Sequence, residues 1–526
     1  MKKINIYSLA FVSALLISGT GCSQSANTPE KKEVKIVNNE NYTEIINAVS
    51  QDDTKPHIDT TKFDYFDEEN VTLSFGAISD THLDDGSSSP TNLLNNTIDY
   101  LEELNGGEPL TSIVIGGDMV DNTYQEPVGV YTDFQVFADF MHERVDSTKT
   151  SLFYTMGNHD IDPTQTKGSD CDNVPSNYYK LLVEGGNEGY FQHDVYKDDY
   201  IADPTSVTGN RHAVINGIHF ISISPKYFWL PENAFTEETI NWLIETLDSI
   251  VAEDASQPIF IVSHSAIYDS VRLSSNEENV YSDIEAILNN YPQVIYMGGH
   301  IHNIITDELS IEQRGFTMLD LGSTKYTSTF NTMYDKNMKW ANKGGTLYEN
   351  NIGSIQISSG CYVQVDVHGN VKFTRFLVNE DLSLKGVVNE PWIIPAPQED
   401  KSHLLKYNDE YRMSINEAPT FNDDAILYPS SYTKDGANNV KIVISAANDD
   451  QYVEYYQVSL KTVYGNTIYT KNFQNFYYKY VIGNPMSDVH IFDFGAVGKG
   501  EYVIEVRAGD VWQSLSEPIS VVYVVE

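Results

Sequence analysis

The sequence contains few basic residues and a large excess of acidic ones. Lys and Arg together number 33 against 75 Asp and Glu, for a formal net charge of −42. General binding to nucleic acid or to anionic lipid requires a positive surface that replaces counterions, so this balance argues against both partners. An anionic small substrate is compatible with it, because bound metal ions reverse the sign of the local field.

Cysteine and long apolar runs are also scarce. The cysteines are Cys22, Cys171 and Cys361. The last two lie too far apart in the sequence to be paired on that evidence, and we expect two unlinked thiols without a nucleophilic role. No stretch after residue 22 is long and apolar enough for a transmembrane helix. A chain of 526 residues, 41% of them hydrophobic, predicts a globular protein with two domains or more.

The first 22 residues are typical of a targeting segment. Lys2 and Lys3 precede a mostly apolar run over 4–18, which is too short to span a bilayer comfortably. Small residues then lead to Cys22, an arrangement that resembles a bacterial lipoprotein signal. Gly19 departs from that pattern, which prefers a leucine-like residue, and a cleaved secretory signal is the alternative. The resemblance implies export and a lipid on Cys22 as a membrane anchor, and the polar segment 23–65 predicts a tether.

Short β-rich runs alternate with helical patterns from residue 66 onward. Ser89 and Pro90 predict the N-cap and first turn of one helix, and Thr236 predicts the start of a second. Such alternation indicates an α/β domain with largely parallel connections, here over 66–390. Strands are predicted at 71–79, 112–116, 151–156, 258–263 and 294–297, as a pair within 211–224, and at 315–321, 353–367 and 371–377.

Only strand signals recur in the last hundred or so residues. The prolines at 391, 395 and 397 predict a break in regular structure, followed by a connector that ends near residue 420. A small all-β sandwich is predicted over 421–526, and it resembles a fibronectin type III or immunoglobulin-like module in architecture alone. Its strands are predicted at 441–446, 452–462, 477–482 and 501–507.

Five short motifs each lie where a predicted strand of the α/β domain ends. They are Asp80-Thr81-His82, Gly117-Asp118-Met119-Val120-Asp121, Gly157-Asn158-His159-Asp160, Ser263-His264 and Gly299-His300-Ile301-His302. Asp80 precedes Asp118 by 38 residues, and His264 precedes His300 by 36. These spacings suit one strand–helix–strand unit, which takes roughly 30 residues or more. Such units return every strand end to one sheet edge, where ligands bind in open α/β sheets.

The mixture of side chains at this edge indicates metal binding. Four histidines, two aspartates and one asparagine, without cysteine, suit Mn, Fe, Zn or Co better than calcium or an iron–sulfur cluster. Seven donors exceed the needs of one ion, whereas two ions about 3.5–4 Å apart with a bridging carboxylate would use them all. The glycines before Asp118, Asn158 and His300 allow sharp turns and close approach. His212 and His219, in the predicted strand pair, are expected to be core or surface residues.

The complete motif set resembles the calcineurin-like metallophosphoesterase family over roughly residues 70–380. The resemblance implies a four-layer α/β/β/α sandwich with two divalent transition-metal ions at the sheet edge. It implies that Asp80, His82 and His302 bind one ion, that Asn158, His264 and His300 bind the other, and that Asp118 bridges them. It further implies that His159 contacts the phosphate or the leaving group, and that Asp121 and Asp160 support the ligands by hydrogen bonds.

The implied activity is hydrolysis of a small phosphomonoester or phosphodiester by attack of a metal-bound water, outside the cytoplasm. A protonated His159 would then help the leaving oxygen depart, and we expect Asp160 to hold that imidazole in its charged form. Two alternatives stay open: a nuclease on the same scaffold, which the acidic surface disfavours, and a surface binding protein with a vestigial catalytic domain. The sequence does not name the physiological substrate, because specificity in such scaffolds resides in loops.

Overall fold

The computed structural model describes residues 65–84, 86–121, 127–160, 201–202, 210–224, 235–274, 282–327, 355–475 and 488–526. Residues 1–64, which hold the predicted targeting segment, Cys22 and all but the last residue of the predicted tether, lie outside these ranges, as does Cys171. The chain divides into compact units at 1–35 and 36–526, and every described residue belongs to the second. None of the described helices is long and apolar enough to cross a membrane. Cys361 is a buried free cysteine.

Strands and helices alternate through the first part of the chain, as predicted. The elements are β1 (Val71–Ile78), α1 (Ser89–Leu104), β2 (Ser112–Ile115), α2 (Pro127–Arg144), β3 (Ser151–Tyr154), β4 (Ile201–Ala202), β5 (Arg211–Ile215), β6 (Ile218–Ser222), α3 (Glu237–Glu253), β7 (Ile259–Val262), α4 (Ser282–Leu288), β8 (Val294–Gly298), β9 (Ile311–Gln313) and β10 (Thr317–Asp320). The hydroxyl of Thr236 accepts a hydrogen bond from the Thr239 amide and caps α3, as expected. The N-cap of α1 is Ser88, one residue earlier than predicted, and its side chain makes no capping bond.

Among the described residues after β10, the elements are strands apart from one α-helix and a 3₁₀ turn at Ser402–Leu404. They are β11 (Ser358–Asp366), β12 (Val371–Val378), β13 (Lys385–Val387), β14 (Trp392–Ile394), α5 (Asp409–Ile415), β15 (Leu427–Lys434), β16 (Ala437–Ser445), β17 (Val453–Thr462), β18 (Thr467–Gln474), β19 (Val489–Ala496), β20 (Gly500–Asp510) and β21 (Ile519–Val525). The expected break at 391–397 is wrong in part, because β14 pairs with β12. The strand predicted at 477–482 lies outside the described residues.

Two seven-stranded mixed sheets form the α/β part. In the first, β1, β2 and β3 run parallel, and β11 to β14 extend it antiparallel beyond β1 in the order β13-β12-β11-β1-β2-β3, with β14 beside β12. The second has the order β4-β5-β6-β7-β8-β10-β9, with β6, β7, β8 and β10 parallel. The carboxyl ends of the parallel strands therefore align within each sheet.

The sheets pack face to face and the helices cover their outer faces. Phe75 of β1 packs edge-on against Phe220 of β6 and Phe260 of β7, with ring centroids 5.2 and 5.1 Å apart. Helices α1 and α2 bury apolar side chains such as Leu94 and Phe137 against the first sheet. Helices α3 and α4 do the same against the second. This arrangement is the predicted α/β/β/α sandwich.

The C-terminal part is an all-β sandwich, also as predicted. A three-stranded sheet, β15-β16-β19, faces a four-stranded sheet, β18-β17-β20-β21, and all pairs are antiparallel. Side chains of both sheets, Ile442 and Val458 among them, form one buried cluster. At one end of this sandwich, Tyr452, Tyr455 and Trp512 join the buried cluster that fills the α/β part. The domain boundaries at 390 and 420 stay predictions.

Candidate metal centre

All seven predicted metal-binding side chains lie just after parallel strands. Asp80 and His82 follow β1, Asp118 follows β2 and Asn158 follows β3, while His264 follows β7, and His300 and His302 follow β8. The first four residues thus come from one sheet and the last three from the other. The site lies at the carboxyl edge shared by the two sheets, where the sequence predicted it.

The backbone at these positions adopts conformations that few side chains favour. Asp80, His82, Asp118, His300 and His302 all have positive φ, between 42° and 69°. Non-glycine residues in this region are uncommon and cluster at functional sites, where the surrounding structure holds them. The glycine expectation is confirmed at two close approaches. A Cβ on Gly157 would lie 2.1 Å from Oδ1 of Asp118, and one on Gly299 would lie 2.0 Å from Oγ of Ser79.

The first group of donor atoms comprises Asp80, His82, Asp118 and His302, within 4.8 Å of one another. Nε2 of His302 lies 2.8 Å from Oδ1 of Asp80 and 3.2 Å from Nε2 of His82. Nε2 of His82 is 3.6 Å from Oδ1 of Asp80 and 3.7 Å from Oδ2 of Asp118. Two imidazole nitrogens and two carboxylate oxygens therefore point at one small volume.

The second group comprises Asp118, His264 and His300, again within 4.8 Å. Nε2 of His264 lies 3.1 Å from Oδ2 of Asp118 and 3.1 Å from Oδ1 of Asn158, which brings the asparagine into the group. Nδ1 of His264 lies 2.8 Å from the carbonyl oxygen of Gly116 and can donate to it, which orients the ring with Nε2 toward the other donors, as a metal ligand requires. Asp118 belongs to both groups, as a bridging carboxylate would.

Burial and charge favour a cation among these donors. Oδ1 of Asp80 is buried and makes no hydrogen bond, although Nε2 of His302 is close. Burial opposes ionisation of Asp80 and Asp118, yet the nearby histidines hold the pKa of both carboxyls below the ordinary value. Burial likewise opposes charge on His264, yet Asp118 raises its pKa to about 9. Two ionised carboxylates attract positive charge here, and the nitrogen–oxygen donor set fits divalent transition metals.

His159 lies beside this cluster and is paired with Asp121. Its Nδ1 is 3.6 Å from Oδ1 of Asp121, and the same oxygen is 3.7 Å from Nδ1 of His82. Lys325 forms an ion pair with the other oxygen of Asp121. Burial lowers the pKa of His159 despite the attraction of Asp118 and Asp121. The ionic contact of this imidazole is therefore with Asp121, at a distance longer than a hydrogen bond.

The expected contact between Asp160 and the His159 imidazole is wrong. The Asp160 carboxylate is fully buried and accepts hydrogen bonds from three backbone amides, those of Gly157, Met119 and Val120, at 2.8, 2.8 and 3.2 Å. Residues 158–160 form one 3₁₀ turn, in which adjacent side chains diverge. Asp160 therefore fixes the loops that carry Asp118 and Asn158, which agrees with the supporting role implied for it.

Lys325 and Tyr326 are site residues that sequence reasoning missed. The Tyr326 ring lies 4.4 Å from that of His302 and 6.2 Å from that of His82, centroid to centroid. Both residues follow β10, and neither belongs to a motif like those of the predicted ligands. The sequence feature that could have indicated a role in the site was their position after a parallel strand. His212 and His219 contact each other at 2.9 Å on β5 and β6, apart from the donor groups, as expected.

The two sheets place paired nitrogen and oxygen donors at their common edge, which forms a candidate dinuclear metal centre. A sequence profile described as Calcineurin-like phosphoesterase matches residues 73–303. The chain therefore contains a calcineurin-like phosphoesterase domain, and its donor groups fit a dinuclear divalent metal site. No curated protein matches the chain significantly.

Three solved structures illustrate the structural similarity. A dimetal phosphatase from Danio rerio is 11% identical, with 62% of this chain and all of that chain covered and a TM-score of 0.37. A 5'-nucleotidase precursor from Thermus thermophilus is 14% identical, with 66% of this chain and 61% of that chain covered and a TM-score of 0.27. An NAD nucleotidase from Haemophilus influenzae is 12% identical, with 85% of this chain and 87% of that chain covered and a TM-score of 0.30.

Proposed function

We propose that this chain is an exported dinuclear-metal phosphoesterase that hydrolyses small phosphomonoesters or phosphodiesters. The observation that carries the proposal is the position of Asp118, which belongs to both donor groups. Asp80, His82 and His302 would hold one ion together with Asp118. Asn158, His264 and His300 would hold the other. The metals are Mn, Fe or Zn by ligand chemistry.

Two bound ions would neutralise the charge of the phosphoryl oxygens and acidify the water that attacks phosphorus. The remaining chemistry belongs to side chains of the chain itself. Asp121 lies near Nδ1 of both His82 and His159 and would orient each ring with Nε2 toward the centre. His159 would bind the phosphoryl group or donate a proton to the leaving oxygen. Asp160 would keep the Asp118 and Asn158 loops at a fixed distance.

Export and a lipid on Cys22 are part of the proposal. Their support is the sequence of residues 1–22, with its basic start, apolar run and small residues before the cysteine. Expression in a bacterial host with a labelled fatty acid tests the anchor. The wild-type chain should carry label and sediment with membranes, whereas the Cys22→Ser chain should carry none. Label on neither chain would contradict lipidation and leave the cleaved signal as the explanation.

Hydrolysis is tested with two nitrophenyl substrates after addition of Mn²⁺ to the purified chain. Release of nitrophenol from the mono- and the bis-ester should follow metal addition, and the ratio of their kcat/KM values defines the preferred class. Activity should disappear in the Asp118→Ala chain. Absence of turnover on both esters, in a chain that binds the metal, would reject the proposed activity.

A further inference from the structure

A buried charge network connects the metal-binding loops with the C-terminal sandwich. Arg272 lies in the loop after β7 that also carries His264. Asp307 lies in the loop after β8 that carries His300 and His302, and Glu454 lies on β17 of the sandwich. The relative exposures of Arg272, Asp307 and Glu454 are 2%, 0% and 1%. Three charged side chains so deeply buried require specific partners.

The guanidinium of Arg272 contacts both carboxylates at once. Its Nε lies 2.5 Å from Oδ2 of Asp307, while Nη1 and Nη2 donate to the two oxygens of Glu454 at 3.3 and 3.0 Å. The contact with Glu454 is thus bidentate, a geometry that only a planar guanidinium provides. The Arg272 amide also donates to the carbonyl of Leu309 at 3.0 Å, so backbone and side chain hold the same two loops together.

Asp307 continues this connection toward the metal ligands. Its Oδ2 accepts from Nδ2 of Asn303, the residue directly after His302, at 3.3 Å. Its Oδ1 accepts from the Leu309 amide at 2.9 Å and from the hydroxyl of Tyr452, directly before β17, at 3.0 Å. The sandwich therefore reaches Asp307 both through Arg272 and directly through Tyr452.

The loops that this network holds have strained backbones. His300 and His302 have φ of 69° and 51°, and Leu273, next to Arg272, has φ of 71°. Such conformations persist only where surrounding contacts determine them. We propose that Glu454 and Arg272 are positioning residues, through which the C-terminal sandwich fixes the His264 and His300–His302 loops for metal binding. This inference rests on the proposed metal centre.

The test measures Mn²⁺ affinity of the full chain by calorimetry after metal removal. Glu454→Gln keeps the size of the side chain but removes the charge opposite Arg272. Loss of a residue that orients metal ligands typically weakens metal affinity roughly 10- to 100-fold, and we expect a loss of that order. The second site should lose more affinity, because His264 and His300 both lie on the connected loops. Turnover at saturating Mn²⁺ should return to the wild-type level.

Glu505→Gln is the matched control. Glu505 lies on β20 of the same sheet and pairs with Lys461 at 2.7 Å, on the sandwich itself rather than on the ligand loops. The same charge change there should leave Mn²⁺ affinity unaltered. Tyr452→Phe is a milder substitution and serves as the second variant if Glu454→Gln fails to fold. Loss of its hydrogen bond to Asp307 should weaken Mn²⁺ binding roughly 5-fold.

Each outcome decides between positioning and simple structural support. Weaker Mn²⁺ binding in Glu454→Gln and Tyr452→Phe, with Glu505→Gln unchanged, supports the proposal. Wild-type Mn²⁺ affinity in both variants, with only a lower unfolding temperature, would overturn it. A wild-type chain that binds Mn²⁺ but hydrolyses no ester would reject the proposed activity alone, because the affinity comparison still stands. A wild-type chain that binds no Mn²⁺ would reject both.

Discussion

Nδ1 of His159 lies 3.6 Å from Oδ1 of Asp121, and the same oxygen lies 3.7 Å from Nδ1 of His82. One carboxylate thus serves a proposed metal ligand and the proposed substrate-binding histidine. Because Lys325 pairs with its other oxygen, Asp121 is held in place from the opposite side. The two histidines therefore have distinct proposed roles that mutation can separate.

His159→Ala should keep both metals and lose roughly 10²–10⁴-fold in turnover, the scale of a lost general acid. The loss should be smaller for esters whose leaving group departs without a proton. Rates across a series of leaving groups, together with metal content, provide the measurement. An equal deficit for good and poor leaving groups would assign His159 to phosphate binding rather than to proton donation.

Asp121→Asn should weaken metal binding as well as turnover. The amide still occupies the space between His82 and His159 but carries no negative charge, and loss of such support typically costs roughly 10- to 100-fold in metal affinity or activity. Mn²⁺ titration of the variant should therefore show weaker binding than that of His159→Ala. Identical metal affinity in Asp121→Asn and the wild type would mean that the His82 contact has no role.

Asp160→Ala should act mainly on stability. Three buried amides lose their acceptor, and each unsatisfied group costs about 1–3 kcal/mol, so the free energy of unfolding should fall by about 3 kcal/mol or more. Denaturant unfolding measures the change. The exposed Asp424→Ala change provides the control and should stay within about 0.5 kcal/mol. A small effect at Asp160 would show that these amides find other acceptors.

Stability should also depend on pH through the His212–His219 pair. Burial and the neighbouring His219 lower the pKa of His212 to about 4, against 6.5 for the ordinary side chain. As the pH falls, His212 takes up a proton in the unfolded chain before it does so in the folded chain. Its contribution to the free energy of unfolding is therefore fully present above pH 6.5 and declines as the pH falls toward about 4. Urea midpoints from pH 7.5 to 5 should therefore fall more steeply for the wild type than for His212→Gln.

The exposed His368→Gln change is the control for this comparison, because that side chain is 55% exposed. Its midpoints should follow those of the wild type across the range. Equal slopes for the wild type and His212→Gln would contradict a neutral, half-buried pair. The comparison cancels the titration of the site histidines, which all three chains share.

The sequence predicted that the donor side chains lie together because each of them follows directly after a strand. Each donor residue follows a strand of mostly apolar residues. The carboxyl ends of parallel strands lie at one edge of a sheet, so residues that follow such strands lie close together in the fold. The sequence also predicted close approach at Gly157, and no Cβ fits there beside Asp118. The profile match over 73–303 confirms the phosphoesterase domain, whereas the individual ligand assignments stay predictions.

Contacts distant in sequence escaped the same reasoning. Because Asp160 directly follows His159, the sequence suggested that it contacts the His159 imidazole. The 3₁₀ turn directs these two side chains apart, and the carboxylate near His159 is that of Asp121, in the loop after β2. Arg272 and Glu454 are 182 residues apart, and no local pattern marks their pairing. Strand β18 was missed because its first half is exposed, so its residues lack an apolar alternation.

The metal content of the chain tests the central claim most directly. Protein purified without chelator and then saturated with Mn²⁺ should contain two ions per chain by elemental analysis, because Asp118 links two donor groups. Asp118→Ala should lose both ions, while His159→Ala should retain them. A firm value of one ion per chain, unchanged by added Mn²⁺ or Zn²⁺, would contradict the dinuclear centre and the assignment of His264 and His300 to a second ion.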